Sequence, residues 1–297
     1  MDHSQRLNRS AGIAAVAVAA TLVVLKLWAF VQTGSLTIAA ALADSAVDML
    51  ISGAGLAAIV YAARPADEDH TFGHTSVEDL VSLAQAIFVT GSALAIGYGA
   101  VHRLISPAPQ QLADEGTGIA IMLASAVLTG ALVLWQRRVA RLTGNRVVAA
   151  DMMHYVGDLL PTLGAIIALG LSAQYGIGQA DSILALIAAA FMLRAALNIG
   201  LGAWHALMDR AADPEIVEGI AGIAAGWPGV HGFHDLQTRT AGSRIFVNLH
   251  IELDGAQSLQ EAHAIGASLK RAITQRYPLA DVIIHKDVWH GSGTGPG

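Results

Sequence analysis

Residues 36–60 read LTIAAALADSAVDMLISGAGLAAIV, a stretch long and apolar enough to cross a membrane that nevertheless contains two acidic residues. Asp44 and Asp48 are spaced i, i+4, so both lie on one face of the predicted helix. A charged side chain near the centre of a bilayer is costly, and such residues mark a functional site by default. This stretch therefore predicts a helical membrane protein with a polar site inside the bilayer.

A second stretch at 147–173, VVAADMMHYVGDLLPTLGAIIALGLSA, has the same arrangement, with His154 and Asp158 spaced i, i+4. Four nitrogen and oxygen donors on two helix faces fit a tetrahedral site for a divalent cation. Three converging carboxylates would repel one another without a cation, which favours a metal site. The alternatives are a polar network that fixes helix packing and a relay that carries protons alone. Asp151 is predicted to face elsewhere, near the membrane edge, and is not assigned to the site.

The composition agrees with a membrane protein. Of 297 residues, 54% are hydrophobic and only 13% are charged, whereas a soluble domain has about 25% charged residues. The chain has no cysteine, which excludes disulfides and thiolate metal sites. It has twelve histidines, and a metal site built from histidine and carboxylate donors favours zinc, iron, manganese or cadmium over copper(I). No basic patch of the kind that binds nucleic acid is present, so no nucleic-acid partner is expected.

Six segments are predicted to span the membrane. They are residues 12–32, 36–62, 79–105, 116–136, 147–173 and 180–204. Arginines concentrate in the loops on the N-terminal side, and the opposite side has only Arg103, so both termini are predicted to be cytoplasmic. The N-terminal residues lack a signal-peptide cleavage site and are expected to lead into the first span.

After Trp204 the sequence becomes more polar. We predict a six-helix transmembrane domain at 1–208, a small cytoplasmic α+β domain with the order α-β-β-α-β at 209–290, and a disordered tail at 291–297. In the small domain, Asp213 is predicted to cap the first helix. A domain of about 80 residues is marginal for folding alone, so dimerisation would help it.

A loop of the N-terminal domain contains a second set of donors. Asp67, His70 and His74 are spaced i, i+3, i+7, and on a helical turn leading into the third span they would share a face. The alternative is a solvated loop that merely contains histidines. Glu78 is either an outer ligand or a charge at the start of the third helix.

The C-terminal domain contains a third set of donors. Its members are His234, His250, His263, His285 and Asp287. His285 and Asp287 lie two residues apart on one predicted strand and therefore point to the same face. The alternative is a set of ordinary surface histidines on a cytoplasmic domain.

The chain resembles the cation diffusion facilitator family, and within it the bacterial branch of ferrous-iron and zinc efflux transporters. The resemblance rests on DxxxD in the second span, HxxxD in the fifth, PAD-x-x-H-x-F-G-H in the loop, and WPGV, HDL and DVIIH in the C-terminal domain. It covers residues from about 10 to 290.

The resemblance implies a function and three metal sites. It implies a homodimer in the inner membrane that exports Zn2+, with Fe2+ and Cd2+ as secondary substrates, in exchange for protons. No prosthetic group and no enzymatic activity are expected. The transport site would be Asp44, Asp48, His154 and Asp158, the loop site Asp67, His70 and His74, and a binuclear site at the cytoplasmic dimer interface His234, His250, His263, His285 and Asp287.

Two positions depart from the pattern of close relatives. Ser76 stands where a basic residue often pairs with the acid at the position of Asp209, so that pairing between protomers cannot form here. Lys286 stands where an uncharged residue is usual, which questions the second ion of the cytoplasmic site.

Two other classes of protein account for part of the sequence. A proton-coupled transporter of an organic solute would not need the histidine-rich cytoplasmic domain. A membrane-anchored metal sensor would bind metal without transporting it. An intramembrane metalloenzyme fits less well, because four protein ligands close the site to water.

Overall fold

The computed structural model describes residues 3–33, 36–105, 116–175 and 180–290. The chain divides into two compact units, Met1–Trp204 and His205–Gly297. The tail 291–297, predicted to be disordered, lies outside the described residues.

The part of unit 1 that the structure describes forms six long helices. They are α1 (His3–Thr33), α2 (Leu36–Ala62), α3 (Ser76–Ile105), α4 (Gly116–Thr143), α5 (Arg146–Tyr175) and α6 (Ala180–Leu207). Within the described residues, four helical stretches are long and apolar enough to cross a membrane, namely His3–Gln32, Asp44–Ala62, Ser76–Ile105 and Ser182–Leu207. The predicted helical membrane fold is confirmed.

The break between α4 and α5 has a local cause. Gly144 adopts a positive φ of 67° and donates its N–H to the carbonyl of Ala140, which ends α4. Asn145 then caps α5, because its side-chain oxygen accepts the N–H of Val148 at 3.1 Å. This cap fixes where α5 begins and so sets the position of its ligands.

Small residues let the helices approach closely. Ala11, Ala15 and Ala19 of α1 are fully buried and repeat every four residues, which makes one smooth contact face. On the outside of the same helix, Trp28 and Val31 are exposed, as expected of side chains that face lipid.

Unit 2 has the predicted order α-β-β-α-β. Its elements are α7 (Pro214–Ala225), β1 (Gly232–Ala241), β2 (Arg244–Leu253), α8 (Leu259–Arg276) and β3 (Ala280–Val288). The sheet order is β1-β2-β3, with β1 antiparallel and β3 parallel to β2. Alternate residues of β2 enter the apolar core, where Leu249 and Ile251 lie with Leu269 and Ile273 of α8.

The predicted side-chain cap of α7 by Asp213 is not formed. Asp213 does occupy the position before α7, but its side chain makes no capping hydrogen bond. Its backbone carbonyl instead accepts the N–H groups of Ile216 and Val217. The complete cap is on α8, where Ser258 and Glu261 form a reciprocal capping box.

Candidate metal centres

The first group of donors lies between α2 and α5. Asp48, His154 and Asp158 each offer a ligand atom, and these atoms all lie within 4.8 Å of one another. His154 Nε2 is 2.9 Å from Asp48 Oδ1. Asp44, one turn earlier on α2, is exposed and does not join this group. The structure thus brings together three of the four residues predicted for the transport site, which we call the membrane triad.

The surroundings of the triad hold the imidazole in place. His154 is 5% exposed, and its ring meets Phe88 of α3 edge-on with 5.5 Å between ring centroids. Beside it, a Cβ on Gly157 would lie 2.6 Å from Met192 Cε of α6, so a larger residue there would require the Met192 side chain to move. Close packing on both sides restricts the orientations that His154 can adopt.

A cationic side chain lies on the side of α2 that carries Asp48. Lys26 of α1 donates a hydrogen bond from its ammonium to Ser45 Oγ, at 2.7 Å. Ser45 is three residues before Asp48 and so lies on the same side of α2. The sequence showed Lys26 within a span, and the structure shows that it turns toward α2.

The second group of donors lies in the loop between α2 and α3. Asp67 Oδ1 is 3.3 Å from His70 Nδ1, and Asp67 Oδ2 is 3.2 Å from His74 Nε2. The three residues form a second candidate cation group, which we call the loop group. His74 is buried, and its Nδ1 has no hydrogen-bond partner among the described residues.

The predicted helical turn in this loop is wrong. The three residues lie in an irregular loop, and α3 begins only at Ser76. Asp67 Oδ1 accepts the backbone N–H groups of Asp69 and His70, which folds the loop back on itself. An aspartate turn thus brings together side chains that a helix was expected to align.

The same turn affects the charge of Asp67. The hydrogen bond from the His70 backbone lowers the pKa of Asp67 below its ordinary value. Partial desolvation opposes this shift, and the nearby imidazoles of His70 and His74 add to it. The carboxylate is therefore ready to bind a cation at neutral pH. Glu78 is buried in the first turn of α3, where it accepts a hydrogen bond from Asn145 at 2.8 Å, and is not part of the group.

The third group of donors crosses the sheet of unit 2. The strand register pairs His234 with His250 and His250 with His285, so three imidazoles stand in one row across three strands. Asp287 completes the row, with Oδ2 2.8 Å from His250 Nδ1 and 3.3 Å from His234 Nε2. His285 Nε2 lies 3.2 Å from Asp287 Oδ1. We call these four residues the sheet row.

Asp287 stays ionised in this setting. Partial desolvation raises its pKa, but the hydrogen bond to His250 and the nearby imidazoles outweigh that effect, and the pKa lies below the ordinary value. His234, His250 and Asp287 offer ligand atoms that all lie within 4.8 Å of one another, and two imidazoles with a carboxylate suit zinc. His285 contacts Asp287 but does not belong to this set of three. His263 is exposed on α8 and does not join the row.

Lys286 does not enter the sheet row. Adjacent strand residues point to opposite faces, and a Cβ added to Gly266 of α8 would lie 2.6 Å from Lys286 Cε. The stem of Lys286 therefore lies over α8, on the face away from the imidazoles. The position of the Lys286 stem therefore gives no reason for its charge to disfavour a second metal ion beside the imidazoles.

Asp209 has a partner within its own unit. Its Oδ1 accepts a hydrogen bond from Arg239 Nη1 of β1 at 3.0 Å. Asp209 also adopts a positive φ of 54° at the end of α6. Ser76 cannot pair with Asp209 because it has no charge, and Arg239 pairs with Asp209 instead. The spacing of Asp209 and Arg239 in the sequence did not predict this pair.

Comparison with known proteins covers both units. A family profile for the cation efflux transmembrane domain matches residues 12–208, and one for the cytoplasmic domain of cation efflux proteins matches residues 212–288. The cation-efflux pump FieF of Serratia proteamaculans (strain 568) is 42% identical over 282 residues, which cover 95% of this chain and 93% of the pump. FieF of Klebsiella pneumoniae gives the same values. The metal-bound C-terminal domain of the CzcD transporter from Thermotoga maritima covers 27% of this chain and 93% of that domain, with 25% identity and a TM-score of 0.25.

Proposed function

The chain belongs to the cation efflux family, and from that premise we propose that it exports Zn2+ from the cytoplasm in exchange for protons. Family membership points to a transporter and not to an enzyme. The observation that carries the proposal is the membrane triad, in which an imidazole and two carboxylates converge between two helices of the transmembrane unit. A mixed nitrogen and oxygen donor set suits zinc better than manganese, with Fe2+ and Cd2+ as secondary substrates.

The exchange follows from the chemistry of these ligands. His154 must be neutral and the aspartates ionised to bind a metal ion, so metal and protons compete for the same groups. At cytoplasmic pH the triad takes up Zn2+, and on the other side protonation weakens the ligands and releases it. Asp44 lies one turn from Asp48 and completes the tetrahedral set when α2 and α5 move during the cycle.

The other two groups and the organisation of the chain belong to the same proposal. All six helices span the inner membrane, with both termini in the cytoplasm, and the transmembrane domain ends at residue 208. The loop group binds cytoplasmic metal. The protein acts as a homodimer in which the sheet row binds metal at the interface, and the exposed His263 comes from the second copy.

The test is Zn2+ flux into or out of liposomes that contain the purified protein, with an imposed pH gradient. Flux should depend on the gradient and vanish in Asp48→Ala. Asp281→Asn, an exposed aspartate of β3 outside all three groups, is the matched control and should transport normally. Zinc binding without flux in the native protein would favour a metal sensor, and gradient-driven proton movement without zinc would favour transport of another solute.

A further inference from the structure

A polar cluster that the metal site does not use lies among α1, α2, α4 and α5. At its centre is Asp151, which is only 4% exposed. Ser52 of α2 donates to Asp151 Oδ1 at 2.9 Å, and Gln136 of α4 lies with its Nε2 2.6 Å from Asp151 Oδ2. The hydroxyl oxygen of Tyr155 lies 2.9 Å from Ser52 Oγ, and the hydroxyl donates to the carbonyl oxygen of Ala15 in α1 at 3.4 Å.

The charge of Asp151 has no visible counter-ion. Among the described residues, its contacts are with uncharged donors, and no cationic side chain hydrogen-bonds to it or forms an ion pair with it. A buried carboxylate without a cation is strongly disfavoured, and such a group ordinarily takes up a proton. The titratable groups that interact electrostatically with Asp151 are Asp48 on α2 and His154 and Tyr155 on α5.

The distances around Gln136 fit a protonated partner. Gln136 is 1% exposed and its Oε1 has no hydrogen-bond partner among the described residues. If the amide turns over, Oε1 takes the position 2.6 Å from Asp151 Oδ2, a separation usual for O–H···O and short for N–H···O. One orientation of Gln136 thus serves the carboxylic acid and the other serves the carboxylate.

A small cavity beside Asp151 can hold a water molecule that accepts its proton. Asp151, Gln136 and Ser52 line this cavity, which has room for about one water molecule, together with Gly12 and Gly55. A water there can accept a proton and can bond the free Oε1 of Gln136. The cavity lies toward the N-terminal end of α5, the end that the arginine pattern assigns to the cytoplasm.

The cluster is also placed to sense the metal. Ser52 follows Asp48 by four residues and Asp151 precedes His154 by three, so the cluster lies about 5 Å further along the helix axis than the triad. A divalent cation bound to the triad therefore favours the ionised form of Asp151 by direct electrostatic attraction.

We propose that Asp151 is a proton-carrying carboxyl of the transport cycle, separate from the metal ligands. It holds a proton, donated to Gln136, while the triad is free of metal. When a divalent cation binds the triad, the O–H bond breaks, the proton passes to water in the cavity, and the carboxylate is left accepting from Ser52 and from the turned amide of Gln136. The inference rests on the proposed function, because it adds a proton site to the same exchange.

The test counts protons released when Zn2+ binds to the purified full-length protein, by calorimetry in buffers of different ionisation enthalpy. Asp151→Asn mimics the protonated acid and should release about one proton fewer per Zn2+ bound at the triad. Asp281→Asn is the control and should release as many as the native protein. Equal release by native protein and Asp151→Asn would overturn the proposal.

Infrared difference spectroscopy of the native protein covers the case in which Asp151→Asn does not fold. Zn2+ should remove the carbonyl band of a buried protonated carboxyl, and Gln136→Leu should shift that band because its hydrogen-bond partner is lost. A band that is absent, or that Gln136→Leu leaves unchanged, would contradict the assignment. Failure of the proposed function would look different, since the native protein would then show no gradient-driven zinc flux at all.

Discussion

At the scale of single residues, His154 holds the triad together. Its ring is buried between α3 and α5 and lies 2.9 Å from Asp48. Because loss of an outer hydrogen-bond partner already weakens metal binding by about 10- to 100-fold, His154→Ala should weaken Zn2+ binding at the triad by at least that factor. Equilibrium binding measured against a chelator checks this. His102→Ala, an exposed histidine of α3 outside the three groups, should bind zinc normally, and a native affinity in His154→Ala would remove this residue from the site.

Lys286 is one of the residues at which the structure changes the interpretation of the sequence. The sequence places a positive charge between two ligands, whereas the structure directs its stem to Gly266 on the helix side of the sheet. We therefore expect Lys286→Met to bind as many zinc ions in unit 2 as the native protein, and metal analysis after dialysis measures this. A gain of zinc in Lys286→Met would show that the charge does repel the second ion.

At the scale of elements, α3 and α5 are joined at their first turns. Arg146 donates to Asp79 at 2.6 Å, and Asp79 is fully buried. Because removing Arg146 leaves the buried carboxylate of Asp79 without this partner, Arg146→Gln should lower the thermal stability of the detergent-solubilised protein, by less than in a fully buried pair since Arg146 is partly exposed. Adding Asp79→Asn should recover part of that loss, because the buried charge is gone. Arg137→Gln, at an exposed position of α4, controls for loss of an arginine, and a double variant less stable than the single one would contradict the pairing.

The first turn of α8 has a pH-dependent cap. Hydrogen bonds from Ser258 lower the pKa of Glu261 below its ordinary value of 4.5. Since the folded pKa is below the unfolded one, the stabilisation by this carboxylate is complete above the unfolded pKa and is lost as pH falls through the folded value. Glu261→Ala should therefore speed hydrogen exchange of the first turn of α8 at neutral pH, and its difference from the native protein should shrink below about pH 4.5.

Glu218→Ala on α7 is the control for this prediction, because Glu218 is exposed and caps nothing. It should leave exchange in α8 unchanged. A difference between Glu261→Ala and native protein that stays constant from neutral to acid pH would show that the carboxylate charge does not contribute to the cap.

At the scale of the whole molecule, the metal groups lie in two units, and each unit has its own apolar core. A ligand present at 100 times its Kd stabilises the fold that binds it by about 2.7 kcal/mol. In His250→Ala, Zn2+ should no longer slow hydrogen exchange in β2 and β3 of the full-length protein, while binding at the triad persists. Asp48→Ala should show the reverse, and loss of both effects in either variant would mean that the groups do not bind independently.

The sequence alone determined the architecture and most of the donors. Apolar runs of twenty or more residues specify membrane helices whatever surrounds them, and i, i+4 spacing aligns side chains without tertiary contacts. For the same reason, alternation in the C-terminal part was enough to predict the three strands of unit 2 and their order along the chain.

Only the tertiary structure decided which donors meet and how buried groups are satisfied. Strand register aligned His234, His250 and His285, an aspartate turn assembled the loop group, and helix packing buried Asp151 against Gln136. The strand contacts and the contact of Asp151 with Gln136 join residues whose separation along the chain carries no local signal, because register and packing depend on the whole set of neighbouring side chains.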